Sequence, residues 1–363
     1  MYPLYVLLFV DTGLSGSEIS ALFAVWSVVG IVAEVPSGVV ADCWSRRGVL
    51  VAAGALQAGA HALWTVAPGF PGFAAGFVVW GIGGALVSGA FQALVYDGLA
   101  AAGAASHYAR VIGRVEAAGL LAQIPAAVAA TVLFRAGGYP LVGWVSVACC
   151  LGAAALASRL PEPGRERVDE VAPGDSTVRP PTLRAGLAEV AAQPGLRSAV
   201  LAVAVLAGFD ALEEYVPLLV ADAGVPTDLV PVVALGLPPA GAAGAALASS
   251  GARLPAAGLA LVLGVASAAL AASAIVAHPA GLLGLAVFYG LYRMVLVVAD
   301  VRLQDRITGT ARATVTSVAS LGGELAAVGV FAVWAVGGVT AVGGVVLLVA
   351  GALPWLLRVR AAA

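Results

Sequence analysis

The chain has no lysine and no asparagine, and only three cysteines and three histidines among 363 residues. Without lysine, the phosphate-cradling loop Gly-x-x-x-x-Gly-Lys-Ser/Thr cannot exist. Cys43, Cys149 and Cys150 form no C-x-x-C pair, and His61, His107 and His278 are scattered, so no metal cluster is expected. The cysteines read instead as small apolar core residues. Neither Gly-x-Ser-x-Gly nor a His/Glu zinc pattern occurs, which argues against an enzyme. No cofactor is implied. Lysine and asparagine both have AT-rich codons, so their absence points to a GC-rich bacterial genome.

Charge is scarce as well. Only 10% of residues are charged and 61% are hydrophobic, where a soluble domain carries about 25% charged residues. Most of such a surface must face lipid. A net charge of -2 gives no reason to expect nucleic acid.

What is present is a series of long apolar runs, and a membrane helix needs about 20 such residues. They fall at 18–41, 49–67, 72–97, 108–134 and 139–158, then at 196–221, 227–250, 254–277, 280–303, 311–336 and 338–357. The apolar start Met1 to Val10 is too short to span and has no charged n-region. It reads as the second half of a first helix that begins upstream of Met1. Residues 159–194 break the pattern with Arg159, Glu162, Arg165, Glu166, Arg167, Asp169, Glu170, Asp175, Arg179, Arg184 and several prolines. The expected architecture is all-α and polytopic. An N-terminal bundle (1–158) and a C-terminal bundle (195–363), six helices each, flank a cytoplasmic linker (159–194).

The arginines give the orientation. With the linker inside and the chain alternating sides, only Arg135 and Arg293 of the eighteen basic residues fall elsewhere than the cytoplasm. With helix one complete, twelve helices leave both termini cytoplasmic.

The turn after the second helix reads Gly38-Val-Val-Ala-Asp42-Cys43-Trp44-Ser45-Arg46-Arg47-Gly48. It resembles the loop signature of the major facilitator superfamily, Gly-x-x-x-Asp-basic-x-Gly-Arg-Arg. Gly38, Asp42, Arg46 and Arg47 match; Cys43 and Ser45 depart from it. Glu34-Val-Pro-Ser-Gly38, Tyr96-Asp-Gly-Leu99 and Arg312-Ala-Thr-Val-Thr-Ser317 resemble a bacterial subgroup. The resemblance implies the fold of two six-helix bundles, and a cytoplasmic gate formed by Gly38, Asp42, Arg46 and Arg47. Helix four carries no arginine and Gly119 to Pro125 is a poor match to the Gly-Pro-rich helix five of drug antiporters, which argues against drug/proton antiport.

Ionisable residues at bilayer depth cost about 2.5 kcal/mol or more in insertion scales and mark functional sites by default. Asp210, Glu213 and Glu214 have helical spacings that place them on one face. Arg293 follows Tyr289 by one turn, and Glu324 lies midway along helix eleven. An Arg293–acid pair is expected. Glu213, nearer the outer leaflet, reads as solvated. Glu34 and Pro36 mark a polar, slightly bent spot on helix two, while Trp26 and Gln123 read as packing contacts. The expected substrate and proton pathway is therefore Glu34, Asp210, Glu214, Tyr289, Arg293 and Glu324. Acids outnumber the single core arginine, which favours a cationic or neutral small molecule, or a proton.

The function expected is secondary active transport across a bacterial inner membrane by alternating access, with proton-coupled efflux as one form. The protein would act as a monomer in the lipid bilayer. The rival reading is a non-transporting sensor or scaffold, which would need no midplane charges.

Overall fold

The computed structural model describes residues 1, 3–162, 190–276, 278–307 and 312–358. Most of the expected linker, 163–189, lies outside the described residues, as do the side chains of Gly38, Asp42, Glu116 and Arg312.

The described chain is helical. A short α1 (Tyr5–Asp11) precedes α2 (Gly16–Cys43), α3 (Arg46–Val66) and α4 (Phe70–Ala101). Although proline supplies no N–H to the carbonyl four residues back, α2 runs on through Pro36, and Ser37 Oγ donates to the Glu34 carbonyl at 2.8 Å. α3 starts at Ser45, whose Oγ accepts the Gly48 N–H at 3.0 Å and so caps a donor that the first turn cannot satisfy.

The next helical stretch, Tyr108–Ala157, divides at Gly137–Gly138 into α5 (108–136) and α6 (139–157). Gly138 has φ 61° and ψ -160°, a region open in practice only to glycine. The same device recurs in Arg312–Leu356, where Gly338 has φ 57° and ψ -150°. It separates α14 (312–336) from α15 (339–356). Two residues thus interrupt each helical stretch, and the two expected boundaries fall at these points.

Between these stretches come α7 (Pro194–Gly208), a 3-10 segment (Phe209–Tyr215) and α8 (Val216–Asp222). They are followed by α9 (Val230–Ala234), α10 (Leu237–Ala246), α11 (Ala248–Gly251), α12 (Ala256–Ile275) and α13 (Leu282–Arg306). Eight stretches are long and apolar enough to cross a membrane among the described residues. Two of them divide at the Gly-Gly turns, giving ten; α1 and the α9–α11 stretch bring the order to twelve.

Two expectations are corrected. The run 196–221 is not one α-helix but is broken by the 3-10 segment, and 227–250 is split into α9, α10 and α11. Prolines stand at three of these breaks: Pro217 in the first turn of α8, Pro231 in that of α9, and Pro238 in that of α10, whereas the step from α10 to α11 at Leu247 has none. Each proline lacks an N–H and crowds the carbonyl one turn earlier.

The chain forms two compact units. One holds Met1 and Val25–Pro180; the other holds Tyr2–Ala24 and Pro181–Ala363. In the first unit, α3 packs on α4 and against α6, where Gly54 approaches Ala154. Trp64 is buried in this core; its Nε1 donates to the Phe73 carbonyl at 3.1 Å and its ring stacks on Trp80 at 5.2 Å. Trp26 lies against Phe77, as a packing residue would. In the second unit, Ala204, Ala207 and Gly208 of α7 meet Gly322, Gly323 and Ala326 of α14. Small side chains let these helices approach closely, the usual way helices associate in lipid.

The cysteines are not core residues. Cys43 and Cys149 are exposed and Cys150 is half-buried. In a lipid-facing chain an apolar side chain loses nothing by pointing outward; Val336, 90% exposed, shows the same rule.

Candidate functional site

The site in the second unit is built where α7 breaks. Pro217 leaves the Glu213 carbonyl without its α-helical donor. The Val216 N–H takes that carbonyl instead, which winds Phe209–Tyr215 as a 3-10 helix. Three residues per turn place Asp210 and Glu213 in register, while Glu214 swings about 120° away. The expectation that all three acids share one face assumed α-helical winding and is corrected accordingly.

Asp210 is the centre. Its Oδ1 accepts Arg293 Nη1 at 3.0 Å and the Tyr292 hydroxyl at 2.9 Å; its Oδ2 lies 3.1 Å from Arg293 Nη1. The Asp210 and Arg293 side chains keep 40% and 33% of their exposure, so a solute or water can reach them. Tyr292 is fully buried, with its ring parallel to Phe288 at 5.7 Å. Its hydroxyl also reaches the Leu206 carbonyl at 2.9 Å. One phenolic hydrogen thus has two acceptors. The hydrogen can therefore serve either the Asp210 carboxylate or the Leu206 carbonyl.

Tyr289 is buried beside Tyr292, with ring centroids 6.1 Å apart. Gly241 on α10 makes room for it: a Cβ there would come within 2.9 Å of Tyr289 Cδ1 and 3.4 Å of Arg293 Cγ. Gly241 and Tyr292 are site residues that sequence reasoning missed. Tyr292 had a readable signal, since it directly precedes Arg293. Glu213, expected as solvated, is half-buried within electrostatic reach of both Asp210 and Arg293, and it makes no hydrogen bond or ion pair among the described residues. Glu214 accepts a hydrogen bond from Tyr5 instead. Glu324 is exposed on α14, beside the Gly323 that packs on Ala207.

The first unit holds a second charge cluster, at the turn between α2 and α3. Arg46 forms an ion pair with Asp97 on α4, and Arg47 Nη1 reaches the Leu160 carbonyl at 3.5 Å. Glu162 accepts Ser45 Oγ at 2.5 Å and the Arg46 N–H at 2.7 Å, at the N-terminus of α3 where a carboxylate is favoured. Burial alone would raise the Glu162 carboxyl, but the hydrogen bonds from Ser45 and the backbone, with the Arg47 charge, hold it below the usual carboxylate range. Asp97 and Glu162 were not predicted as partners of this turn. Glu34 is exposed on α2.

No curated relative matches the chain in sequence. In structure it is similar to a D-xylose–proton symporter, with TM-score 0.66 and 17% identity, covering 98% of this chain and 92% of that one. It is also similar to the nucleoside transporter NupG, with TM-score 0.70 and 15% identity, covering 98% and 91%. At such identity the likeness concerns the fold alone. The description of the Major Facilitator Superfamily matches residues 1–330. The chain belongs to the major facilitator superfamily and is a multi-pass membrane transporter of its secondary type.

Proposed function

We propose that the chain moves a small cationic or neutral solute by alternating access, with Asp210 as the carboxylate that couples transport to protons. The observation that carries this reading is the Asp210–Arg293–Tyr292 cluster at the break in α7. Broken helices at a solute site are a recurring device of secondary transporters, and the Tyr292 hydroxyl lies between two acceptors, Asp210 and the Leu206 carbonyl. Asp210 pairs with Arg293 and Glu213 adds a further acid beside them, which favours a cation or a neutral molecule over an anion. Tyr289 and Arg293 shape the site, and Glu34 and Glu324 extend the polar path. Gly38, Asp42, Arg46 and Arg47 form the cytoplasmic gate, with Asp97 and Glu162 as its further partners. The membrane is taken as a bacterial inner membrane, and the arginine distribution supports a cytoplasmic linker, with both termini inside where helix one is complete.

The test is solute flux in proteoliposomes under an imposed pH gradient, across a panel of cationic and neutral compounds. Accumulation of one of them above protein-free vesicles, collapsing when the gradient is dissipated, is the expected result. A panel that shows no gradient-driven flux would remove the proton-coupled reading.

A further inference from the structure

The second unit carries a groove whose lining residues do not belong to the Asp210 cluster. It runs between α10 and α13 and has a volume of about 340 Å³, near the lower end of the ~300–1,000 Å³ typical of ligand sites. Ala243, Gly244 and Leu247 line one side; Val287, Gly290 and Leu291 line the other. Glycine makes the floor. A Cβ on Gly244 would run into the Gly290 carbonyl oxygen, so the two helices meet there backbone to backbone. The walls are larger and open outward, with Leu247 54% and Val287 49% exposed.

An apolar groove alone would accept any hydrocarbon; the charge at its end is what selects. Further along, Gly251 on α11 keeps the two sides together: a Cβ there would come within 3.2 Å of Val298 Cγ2 and 3.3 Å of Met294 Cγ. One turn beyond Val298, Arg302 Nη2 donates to the Leu254 carbonyl at 2.5 Å, which holds the guanidinium between the two sides. The exposed Arg253 directly precedes Leu254. Leu291 and Arg302 are eleven residues apart, about three turns and ~16 Å, so they share a side of α13. Asp300 and Asp305 flank Arg302 in sequence, yet neither pairs with it, and its other nitrogens have no partner among the described residues. A guanidinium with spare donors in a planar fork suits the oxygens of a phosphate.

We propose that the α10–α13 groove, with Arg253 and Arg302 at its end, binds an anionic phospholipid: one acyl chain lies in the groove and the phosphate rests on the two arginines. Basic pockets between membrane helices hold such head groups. The two parts of the site call for a molecule that has both parts. The proposal rests on the chain lying in a membrane, not on the role of Asp210 in coupling.

The test is native mass spectrometry of the full chain in detergent. Dioleoyl-phosphatidylglycerol and phosphatidylcholine with the same chains are titrated, and the affinity for the first bound lipid is read. Wild type is expected to prefer phosphatidylglycerol at least fivefold, and Arg253→Gln and Arg302→Gln each to weaken it about fivefold. Ala243→Trp, which fills the groove from an exposed position, is expected to weaken both lipids. Glycerol phosphate, the head group without chains, is expected not to compete. Arg110→Gln/Arg114→Gln, an exposed pair on α5, is the control and is expected to change nothing. Unchanged binding in the arginine variants or in Ala243→Trp overturns the site, as does an equal loss in the control pair or full competition by glycerol phosphate. If Arg302→Gln does not fold, Arg253→Gln and Ala243→Trp decide. No solute flux enters the readout, so failure of the lipid site and failure of the transport reading are told apart.

Discussion

Arg293 and Asp210 satisfy each other, and their individual removal is therefore unequal to their joint removal. Arg293→Ala leaves a carboxylate whose remaining polar partner is the Tyr292 hydroxyl; Asp210→Asn leaves a guanidinium facing an amide. Hydrogen bonds to charged groups contribute about 1.5–3 kcal/mol, and the partial exposure of both side chains puts this pair at the low end. Each single variant is expected to lose about 1–2 kcal/mol of stability, and the double variant Asp210→Asn/Arg293→Ala less than their sum. Detergent-based thermal unfolding of the four proteins measures the coupling, and strict additivity would mean the pair is not energetically joined. At Glu162 the prediction concerns acid. Its carboxyl lies below the usual range in the folded protein, so its contribution is present above its unfolded value of about 4.3 and is lost as pH falls through the folded value. Wild type should therefore lose its advantage over Glu162→Gln on acidification, read as converging melting temperatures. A difference that stays constant from neutral to acid pH would contradict this.

At the scale of elements, the Gly-Gly turns are the most demanding points of the backbone. Gly138→Ala and Gly338→Ala force a Cβ into a glycine-only region and are each expected to cost about 1–3 kcal/mol. An equal substitution at Gly59, where a Cβ meets nothing within 4 Å, should be near neutral, and matching losses at all three positions would refute the backbone explanation. Elements also show what the sequence could and could not disclose. Span positions were legible because length and hydropathy are local properties. The ends of α5 and α14 were legible to within two or three residues. The break in α7 was not read, although Pro217 announces it, because apolarity continues through the 3-10 segment and only winding changes. That one change redirected Glu214 from the Arg293 side to Tyr5. Asp97 and Glu162 were illegible for a different reason: they meet the Arg46 turn from α4 and from beyond α6, and no local pattern records that proximity.

For the whole molecule, the scarcity of charge explains both its lipid-facing exterior and the weight that falls on the few ionised groups. Small residues let α7 and α14 touch closely without locking ridges, and the exposed cysteines follow from the same apolar surroundings. The membership of the superfamily, the broken seventh span and the Asp210 cluster join in one claim, that Asp210 couples solute movement to protons. The most direct measurement compares wild type with Asp210→Asn in proteoliposomes, using the compound that the flux panel identifies. Two readouts are taken, accumulation driven by a pH gradient and exchange of labelled for unlabelled solute without a gradient. The account predicts that Asp210→Asn loses gradient-driven accumulation while exchange persists. Accumulation by Asp210→Asn at the wild-type level would contradict it, because a site that couples without its carboxylate is not coupled there.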